Sequence, residues 1–359
     1  MRKRLPSLFA VCILACLFSA CATSNPPQAT VPGTGTIAAG TMQEYSLPLA
    51  NSGVMRPALD HEGRIWFGEM GHNYLAVFDP KTQNFQQITP PHGASGIMGM
   101  TVARDDTIWF AELDANYIGQ YNAKTHQFHT YALPQLKLSA TNSQDSVKTL
   151  PSAPNDVAID AGGNVWFTEM NADALGKLDP RTGATTQYPI SHPQTIQKLD
   201  PYGITIDAHG VVWFTETSKG ILGRFDPRTE KMRFIPTPNA GISLMEVTND
   251  PNGNIWATAF NSSQLFKFTP ATNTFATYNA DQNGTGSSGM YGLTAPTAQA
   301  VWVTVSSENA IAKFDPVTQH FTYYQIPTPN STPFGMVVSK DHHIWFTEAG
   351  GNKVGMLTP

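Results

Sequence analysis

All seven tryptophans of this 359-residue chain stand in copies of one sequence pattern. The pattern reads, with variations, Gly-x-x-Trp-Phe-Thr-Glu-x-x-x-Asn-x-Ile-Gly-x-x-Asp-Pro. Its tryptophans are Trp66, Trp109, Trp166, Trp213, Trp256, Trp302 and Trp345, at intervals of 43, 57, 47, 43, 46 and 43 residues. A period of this length is the signature of a repeat architecture. The sequence therefore contains one structural unit copied seven times, with extra length in two intervals.

Each unit has the pattern of four short strands joined by turn residues. In the fourth unit the predicted strands are Gly203–Asp207, Val211–Glu216, Gly220–Phe225 and Lys231–Pro236. The second strand carries three consecutive apolar residues in several units, so both of its faces must be covered. Copies of a sheet that cover one another on both faces are typical of a β-propeller. Helical solenoids are excluded because no unit shows a 3.6-residue apolar period.

The seventh unit ends at Pro359, before its fourth strand. The missing strand matches an N-terminal segment, because Met42–Pro48 has the same spacing as Phe128–Pro134. Pairing of that segment with the last unit would close the ring and remove a sheet edge. We therefore predict an all-β fold over residues 42–359: a seven-bladed β-propeller of four-stranded antiparallel blades, closed by an N-terminal strand that completes the last blade.

The first residues have the pattern of an export signal. Arg2, Lys3 and Arg4 precede a short apolar stretch, and Phe18-Ser19-Ala20-Cys21 is similar to a bacterial lipobox. This predicts a lipoprotein signal peptide over residues 1–20, a lipidated Cys21 and a flexible tether over residues 21–41. The protein would then be an extracytoplasmic, cell-envelope lipoprotein that reaches the membrane only through its lipid anchor. The alternative is a plain secretory signal and a secreted protein.

Charge and cysteine content narrow the classes of partner. Without the three basic residues of the signal, 19 basic residues face 27 acidic ones, a net charge near −8. We therefore expect no nucleic-acid partner. Cys12 and Cys16 lie in the segment that would be removed, so the mature chain would hold only Cys21 and no internal disulfide. We expect a monomer.

One aromatic residue per blade, in the middle of a strand, has two interpretations. A row of tryptophans could cradle a ligand. Packing between neighbouring blades is the more common role of a buried aromatic side chain at such a repeated position. We therefore predict that the tryptophans pack the blades together.

The face of the propeller on which the first strand of each blade begins is the predicted ligand face. The residue eleven positions before each tryptophan begins that strand, and these residues are called the mouth residues here. They are Met55, Met98, Asn155, Tyr202, Met245, Tyr291 and Phe334. Their methionine and aromatic side chains predict binding of a small molecule or a peptide-like ligand.

Acidic residues lie three positions after the tryptophan in five of the seven blades. They are Glu69, Glu112, Glu169, Glu216 and Glu348, whereas blades five and six have Ala259 and Val305. Carboxylates grouped around one axis would repel one another unless a cation offsets them. This predicts an Mg²⁺ or Ca²⁺ site formed by Glu348, Glu69 and Glu112. In the alternative interpretation each glutamate caps backbone amides inside its own blade.

Two insertions and a few histidines belong to the same face. Gln135–Pro154 and His192–Pro201 are candidate lids, because long ordered insertions are often functional. His72 and His92 are candidate general bases, although a histidine in a loop is more often part of the solvated surface.

The blades from Pro201 to Asp226 and from Val165 to Asp179 resemble those of the streptogramin B lyase family, also called virginiamycin B lyases. The resemblance covers residues 42–359. It implies elimination across the ester linkage of a cyclic depsipeptide antibiotic, with a magnesium ion and a general-base histidine in the propeller mouth. The family's base falls at Phe334, its substrate-contacting histidine at Tyr291, and its two metal glutamates at Thr332 and Glu348. Phenylalanine cannot accept a proton, so the resemblance implies the scaffold rather than the reaction.

Three functions are therefore compatible with the sequence. The first is an anchored propeller that binds a small amphipathic or peptide-like ligand at the mouth of the central channel. The second is an enzyme, either a divalent-metal-dependent carbon–oxygen lyase or a lactone hydrolase, with His72 or His92 as base. The third is protein scaffolding through the sides or faces of the disc.

Overall fold

The computed structural model describes residues 31–32, 35–137, 149–190, 199–239, 241–280 and 289–359. The predicted signal peptide and Cys21 lie outside these residues. Within the described ranges, no helix has both the length and the apolar character needed to cross a membrane.

The described secondary structure consists almost entirely of strands. Those before the first blade are β1 (Val31–Pro32), β2 (Gly35–Ile37) and β3 (Thr41–Ser46). The next are β4 (Ala58–Leu59), β5 (Ile65–Glu69), β6 (Tyr74–Asp79), β7 (Asn84–Ile88), β8 (Ile97–Val102), β9 (Thr107–Glu112), β10 (Tyr117–Asn122), β11 (Gln127–Ala132), β12 (Leu136–Lys137), β13 (Thr149–Leu150), β14 (Pro154–Ile159), β15 (Val165–Glu169), β16 (Ala174–Asp179) and β17 (Ala184–Pro189). The remaining ones are β18 (Pro201–Ile206), β19 (Val212–Glu216), β20 (Ile221–Asp226), β21 (Lys231–Pro236), β22 (Leu244–Asn249), β23 (Ile255–Ala259), β24 (Gln264–Thr269), β25 (Thr274–Asn279), β26 (Met290–Thr297), β27 (Ala300–Val305), β28 (Ala310–Asp315), β29 (His320–Gln325), β30 (Pro333–Val338), β31 (Ile344–Glu348) and β32 (Lys353–Thr358). A 3₁₀-helix at Ser306–Glu308 follows β27.

Seven sheets in the described chain are propeller blades, each built on four antiparallel strands, and in the first six blades these four strands are consecutive in the chain. The first strand of each blade is innermost, and the innermost strands of neighbouring blades contact one another in a closed circle. The circle includes the contact between β30 of the last blade and β4 of the first. The predicted seven-bladed propeller is therefore confirmed.

The last blade takes its outer strand from the N-terminal part of the chain. β3 pairs antiparallel with β32, and Glu44 lies opposite Gly355. This pairing confirms the predicted closure, and the strand occupies Thr41–Ser46, which begins one residue before the expected Met42–Pro48 and ends two residues before its end. The outer edge of β32 is thereby hydrogen-bonded and not left open for another chain.

The chain before the closing strand is also part of the sheet system. β1 pairs in parallel with β25 of blade five, and β2 pairs in parallel with β29 of blade six. These segments lie within residues 21–41, which the sequence predicts to be a tether, and they pair with the outer strands of two blades. The physical reason is that an outer strand has unpaired backbone groups that an extended segment of almost any sequence can satisfy.

The tryptophans lie between blades, as predicted. Trp66 belongs to a buried cluster with Ile108 and Phe110 of the next blade, and Trp345 to one with Ile65 and Phe67. The second of these clusters joins blade seven to blade one. Clusters of the same kind surround Trp109, Trp166, Trp213, Trp256 and Trp302. Packing, and not ligand contact, thus explains why the tryptophan recurs.

The threonine of the Trp-Phe-Thr-Glu pattern connects adjacent blades. Thr258 accepts a hydrogen bond from Glu246 N at 3.2 Å in its own blade and donates one to Tyr291 O at 2.7 Å in the next blade. Thr304 makes the same pair of bonds, with Gly292 N and Phe334 O. The repeated threonine therefore fixes the backbone at the mouth of the channel.

We expect the Thr258→Val variant to lose about 1–3 kcal/mol of unfolding free energy, because it leaves two buried backbone groups without their partner. Thr258 is fully buried. Chemical denaturation checks this value, with the exposed Thr274→Val as the control. Equal stability of the two variants would show that the hydroxyl does not connect the blades.

Candidate functional site

The structure places the predicted mouth residues at the start of the innermost strands, around the central channel. Asn155, Tyr202 and Tyr291 are buried. The other four are half-buried: Met55, Met98, Met245 and Phe334. The Asn155 side-chain amide donates to Tyr202 O at 3.1 Å, which ties blade three to blade four. The closed circle of inner strands therefore places the seven positions around one channel.

Three of the mouth residues form an aromatic group. The rings of Tyr291 and Phe334 stack with centroids 3.7 Å apart and an angle of 22° between their planes. The hydroxyl groups of Tyr202 and Tyr291 are hydrogen-bonded at 2.7 Å. The Tyr202 ring meets the Tyr291 ring edge to face, at an angle of 87° between their planes, so the three rings pack as one group at one side of the mouth with a polar edge between the two tyrosines.

A buried ion cluster lies directly next to the mouth residues, and sequence reasoning missed it. Arg56 of blade one donates from Nε to Glu246 Oε1 of blade five, and from Nη1 to Asn155 O at 3.3 Å. Asp156 of blade three lies 4.0 Å from the same Nη1 atom. The guanidinium carbon lies 4.7 Å from the ring centre of Tyr202, a cation–π contact. One arginine therefore links three blades across the channel.

A sequence signal for this cluster did exist. The residue after each mouth residue is charged in three blades and glycine in the other four, which are Gly99, Gly203, Gly292 and Gly335. A Cβ atom at Gly335 would overlap Pro57 and Arg56, and one at Gly203 would overlap Met245 O. The glycines allow the inner strands to approach closely enough for the charged side chains of the other blades to meet.

The cluster's electrostatics follow from its burial. Burial alone would lower the pKa of Arg56, but Glu246, the two tyrosines and Asp156 raise it well above the ordinary value. Burial raises the pKa of Asp156 and of Glu246, and the charge of Arg56 opposes both shifts. Arg56 is therefore a permanent cation that keeps two buried carboxyl groups in place.

The five glutamates after the tryptophans lie inside their own blades and are fully buried. Gln87 of the outer strand donates to both carboxylate oxygens of Glu69, at 3.0 and 2.8 Å, and Gln187 donates to Glu169 at 2.7 Å. These partners lie on the rim side of each glutamate and not at the axis. Glu69 and Glu169 thus interact with a side-chain amide of their own blades, whereas both carboxylate oxygens of Glu112 and of Glu216 are buried without a hydrogen-bond partner among the described residues.

The side chains at the family's metal positions do not fit a magnesium site. Thr332 is exposed, and its neutral hydroxyl donates to Asn330 O. Glu348 is buried, and burial followed by the charge of Glu44 raises its pKa to about 8. Glu69, Glu112 and Glu348 belong to three different blades. In the described ranges, no three His, Cys, Asp or Glu side chains are grouped so that they could hold a metal ion.

The two candidate histidines lie over the third strands of their blades, away from the axis. His72 donates from Nε2 to Ala50 O at 2.8 Å, and its ring stacks on Tyr74. His92 stacks on Tyr117 with ring centroids 3.8 Å apart. The structure therefore does not place either base candidate beside the stacked rings of Tyr291 and Phe334.

The two candidate lids are described only in part. In the first, β12 and β13 form a short antiparallel hairpin, and residues 138–148 lie outside the described residues. In the second, residues 191–198 lie outside them. Whether either insertion covers the channel stays a prediction.

The fold and the site define an all-β, closed seven-bladed propeller whose channel mouth is lined with methionine and aromatic side chains. The family model of the virginiamycin B lyase family matches residues 135–359. The chain belongs to that family.

Individual relatives match over very different lengths. The virginiamycin B lyase of Bacillus licheniformis is 54% identical over 37 residues, which is 10% of this chain and 12% of that protein. A solved streptogramin B lyase is similar with a TM-score of 0.77 and 24% identity over 89% of this chain and 97% of that one. The structure of a catalytically inactive virginiamycin B lyase from Staphylococcus aureus with quinupristin is similar with a TM-score of 0.76 and 21% identity. The match covers 89% of this chain and 100% of that one. These structures share the fold.

A third similar structure belongs to a different kind of protein. The extracellular domain of a putative hybrid two-component system from B. thetaiotaomicron has a TM-score of 0.67 and 19% identity, and covers 89% of this chain and 42% of that one. The propeller fold of this chain thus also occurs in extracellular domains.

Proposed function

We propose that this protein is an exported ligand-binding propeller that captures a small amphipathic or peptide-like molecule at the channel mouth and does not act as a lyase. The observation that carries the proposal is the stacked pair Tyr291 and Phe334, which occupies the positions where the family resemblance places histidines. Phe334 has no group that accepts a proton. Burial raises the pKa of Tyr291 well above its ordinary value, so this phenol is not a base near neutral pH either.

The chemistry of the mouth supports binding of an amphipathic molecule. Half-buried Met55, Met98 and Met245 have flexible, polarisable side chains that adapt to irregular apolar shapes. Half-buried Phe334, held by its stacking on Tyr291, adds the apolar surface of one ring. Export and lipid anchoring at Cys21 remain part of the proposal, supported by the N-terminal signal pattern and by the extracellular relative.

Quinupristin, the compound present with one of the similar structures, is a suitable probe for this mouth. We expect the protein to bind quinupristin without linearising it, so that mass spectrometry finds only the intact compound after incubation. Isothermal titration calorimetry should show that the Phe334→Ala variant binds quinupristin roughly tenfold more weakly than the wild type, a change of about 1.4 kcal/mol in binding free energy. Val317→Ala, on an exposed outer turn, is the control and leaves affinity unchanged.

Two results would contradict the proposal. Appearance of a linear product would restore the lyase interpretation. Absence of both binding and product would remove this class of ligand from the mouth.

A further inference from the structure

A cavity of about 340 Å³ lies in the channel on the other side of the ion cluster. Its lining begins at Arg56, Asp156 and Glu246 and continues to Ile159 and Ile206, the last residues of β14 and β18. Because the inner strands run away from the mouth, this cavity belongs to the opposite face of the disc. It is separate from the mouth site described above.

The inner end of the cavity has hydrogen-bonding capacity that the described protein does not use. Arg56 is 6% exposed, and its Nη2 atom is buried without a hydrogen-bond partner among the described residues. Asp156 accepts from Val157 N at 3.0 Å and Ile204 N at 3.1 Å, and a carboxylate can accept further bonds. A donor and acceptors therefore meet at the inner end of the cavity, and a buried donor without a hydrogen-bond partner calls for one.

The charges of the cavity select against ions. One arginine faces two carboxyl groups, so the end wall opposes anions, and Arg56 itself supplies the cation that the two carboxyl groups require. Hydroxyl groups satisfy both requirements, because each one donates and accepts. Thr101, Thr205 and Thr248 add three more polar side chains along the walls.

The apolar part of the lining and the size of the cavity restrict the class of ligand further. Ile159, Ile206 and Leu293 offer aliphatic surface for C–H groups. Since one water occupies about 30 Å³ of liquid, the cavity volume corresponds to roughly eleven waters, which is room for one monosaccharide together with waters that bridge it to the walls.

We propose that this cavity binds one uncharged polyhydroxylated molecule of monosaccharide size, which enters from the face opposite the mouth and forms hydrogen bonds with Arg56, Asp156 and Glu246. A second cavity, of about 610 Å³, shares Thr101, Ile159 and Ile206 with the first and extends between blades two and three. A longer sugar chain would leave the channel along this groove.

Saturation-transfer NMR with D-glucose, D-galactose, D-mannose and myo-inositol tests the site on the folded protein. We expect a signal from at least one of the four. Ala158→Leu, which fills the cavity without touching the ion cluster, should abolish the signal, and Glu246→Gln should weaken binding at least tenfold. Near-ultraviolet circular dichroism confirms that each variant is folded.

Phe334→Ala is the matched control because it alters the mouth and leaves the cavity intact, so its sugar signal should equal that of the wild type. This separates the inference from the proposed mouth function. The inference is overturned if none of the four compounds gives a signal, if the signal survives Ala158→Leu, or if methylammonium or acetate binds while the four neutral compounds do not.

Discussion

The Arg56→Met variant is expected to lose about 3–5 kcal/mol of unfolding free energy, because removal of one partner leaves buried carboxyl groups without compensation. Arg56 holds both Glu246 and Asp156 in the channel, and all three side chains are largely shielded from water. Urea denaturation at neutral pH measures the loss. The difference from the wild type should narrow in acid, where both carboxyl groups become protonated and no longer require a cation.

Two further variants separate this effect from a general cost of arginine replacement. Arg181→Met removes an equivalent contact with Asp179, but Arg181 is 81% exposed, so we expect no measurable change. Combining Arg56→Met with Asp156→Asn and Glu246→Gln should recover most of the stability, because no buried charge then remains. A loss below about 1 kcal/mol in the single variant would show that the cluster does not stabilise the ring.

The sequence determined the architecture because its strongest signals are local and repeated. The tryptophan period gave the number of blades, and the three apolar residues around each tryptophan showed that both faces of the second strand are buried. The match between Met42–Pro48 and an outer strand predicted the closure that β3 and β32 make. Each of these inferences needs only residues within one unit and the assumption that units are alike.

The contacts of the ion cluster could not be predicted from the sequence because the members of the cluster belong to different units. Arg56 and Glu246 are 190 residues apart and meet only when the ring closes. The parallel strands β1 and β2 escaped prediction for another reason. They use backbone groups at sheet edges, so their Pro-, Thr- and Gly-rich sequence has no alternating apolar pattern.

The hydrogen bonding of the five glutamates that follow the tryptophans depends on an outer-strand residue that the repeat pattern does not specify. The outer-strand position facing them is glutamine in blades one and three, where it donates to the carboxylate. In blade four the register places Phe234 at that position, since Gly223 pairs with both Phe214 and Phe234. Glu216 therefore has a different environment from Glu169, although their local sequences agree.

This difference predicts that Glu216→Gln stabilises the protein in alkaline solution. Both carboxylate oxygens of Glu216 are buried without a hydrogen-bond partner among the described residues. Burial, and then the charge of Asp173, raises the pKa of Glu216 from 4.5 to about 8. A pKa shift of this size means that the protein environment favours the protonated over the ionised carboxyl group by about 5 kcal/mol.

The sign follows from linkage between protonation and folding. A group whose pKa is higher in the folded state contributes to the free energy of unfolding. This contribution is complete below the unfolded pKa of 4.5 and is lost as the pH rises to about 8. Glutamine resembles the protonated acid and does not ionise. The free energy of unfolding of Glu216→Gln should therefore equal that of the wild type near pH 4.5. It should exceed the wild-type value increasingly up to pH 8, by as much as about 5 kcal/mol.

Glu169→Gln is the matched control, since Gln187 already donates to Glu169 and offsets part of its burial. We expect this variant to show a clearly smaller gain at pH 8, in urea denaturation curves measured at both pH values. If Glu216→Gln instead lowers stability equally at both, the carboxyl group is required for a contact in its ionised form, and burial is not what controls its titration.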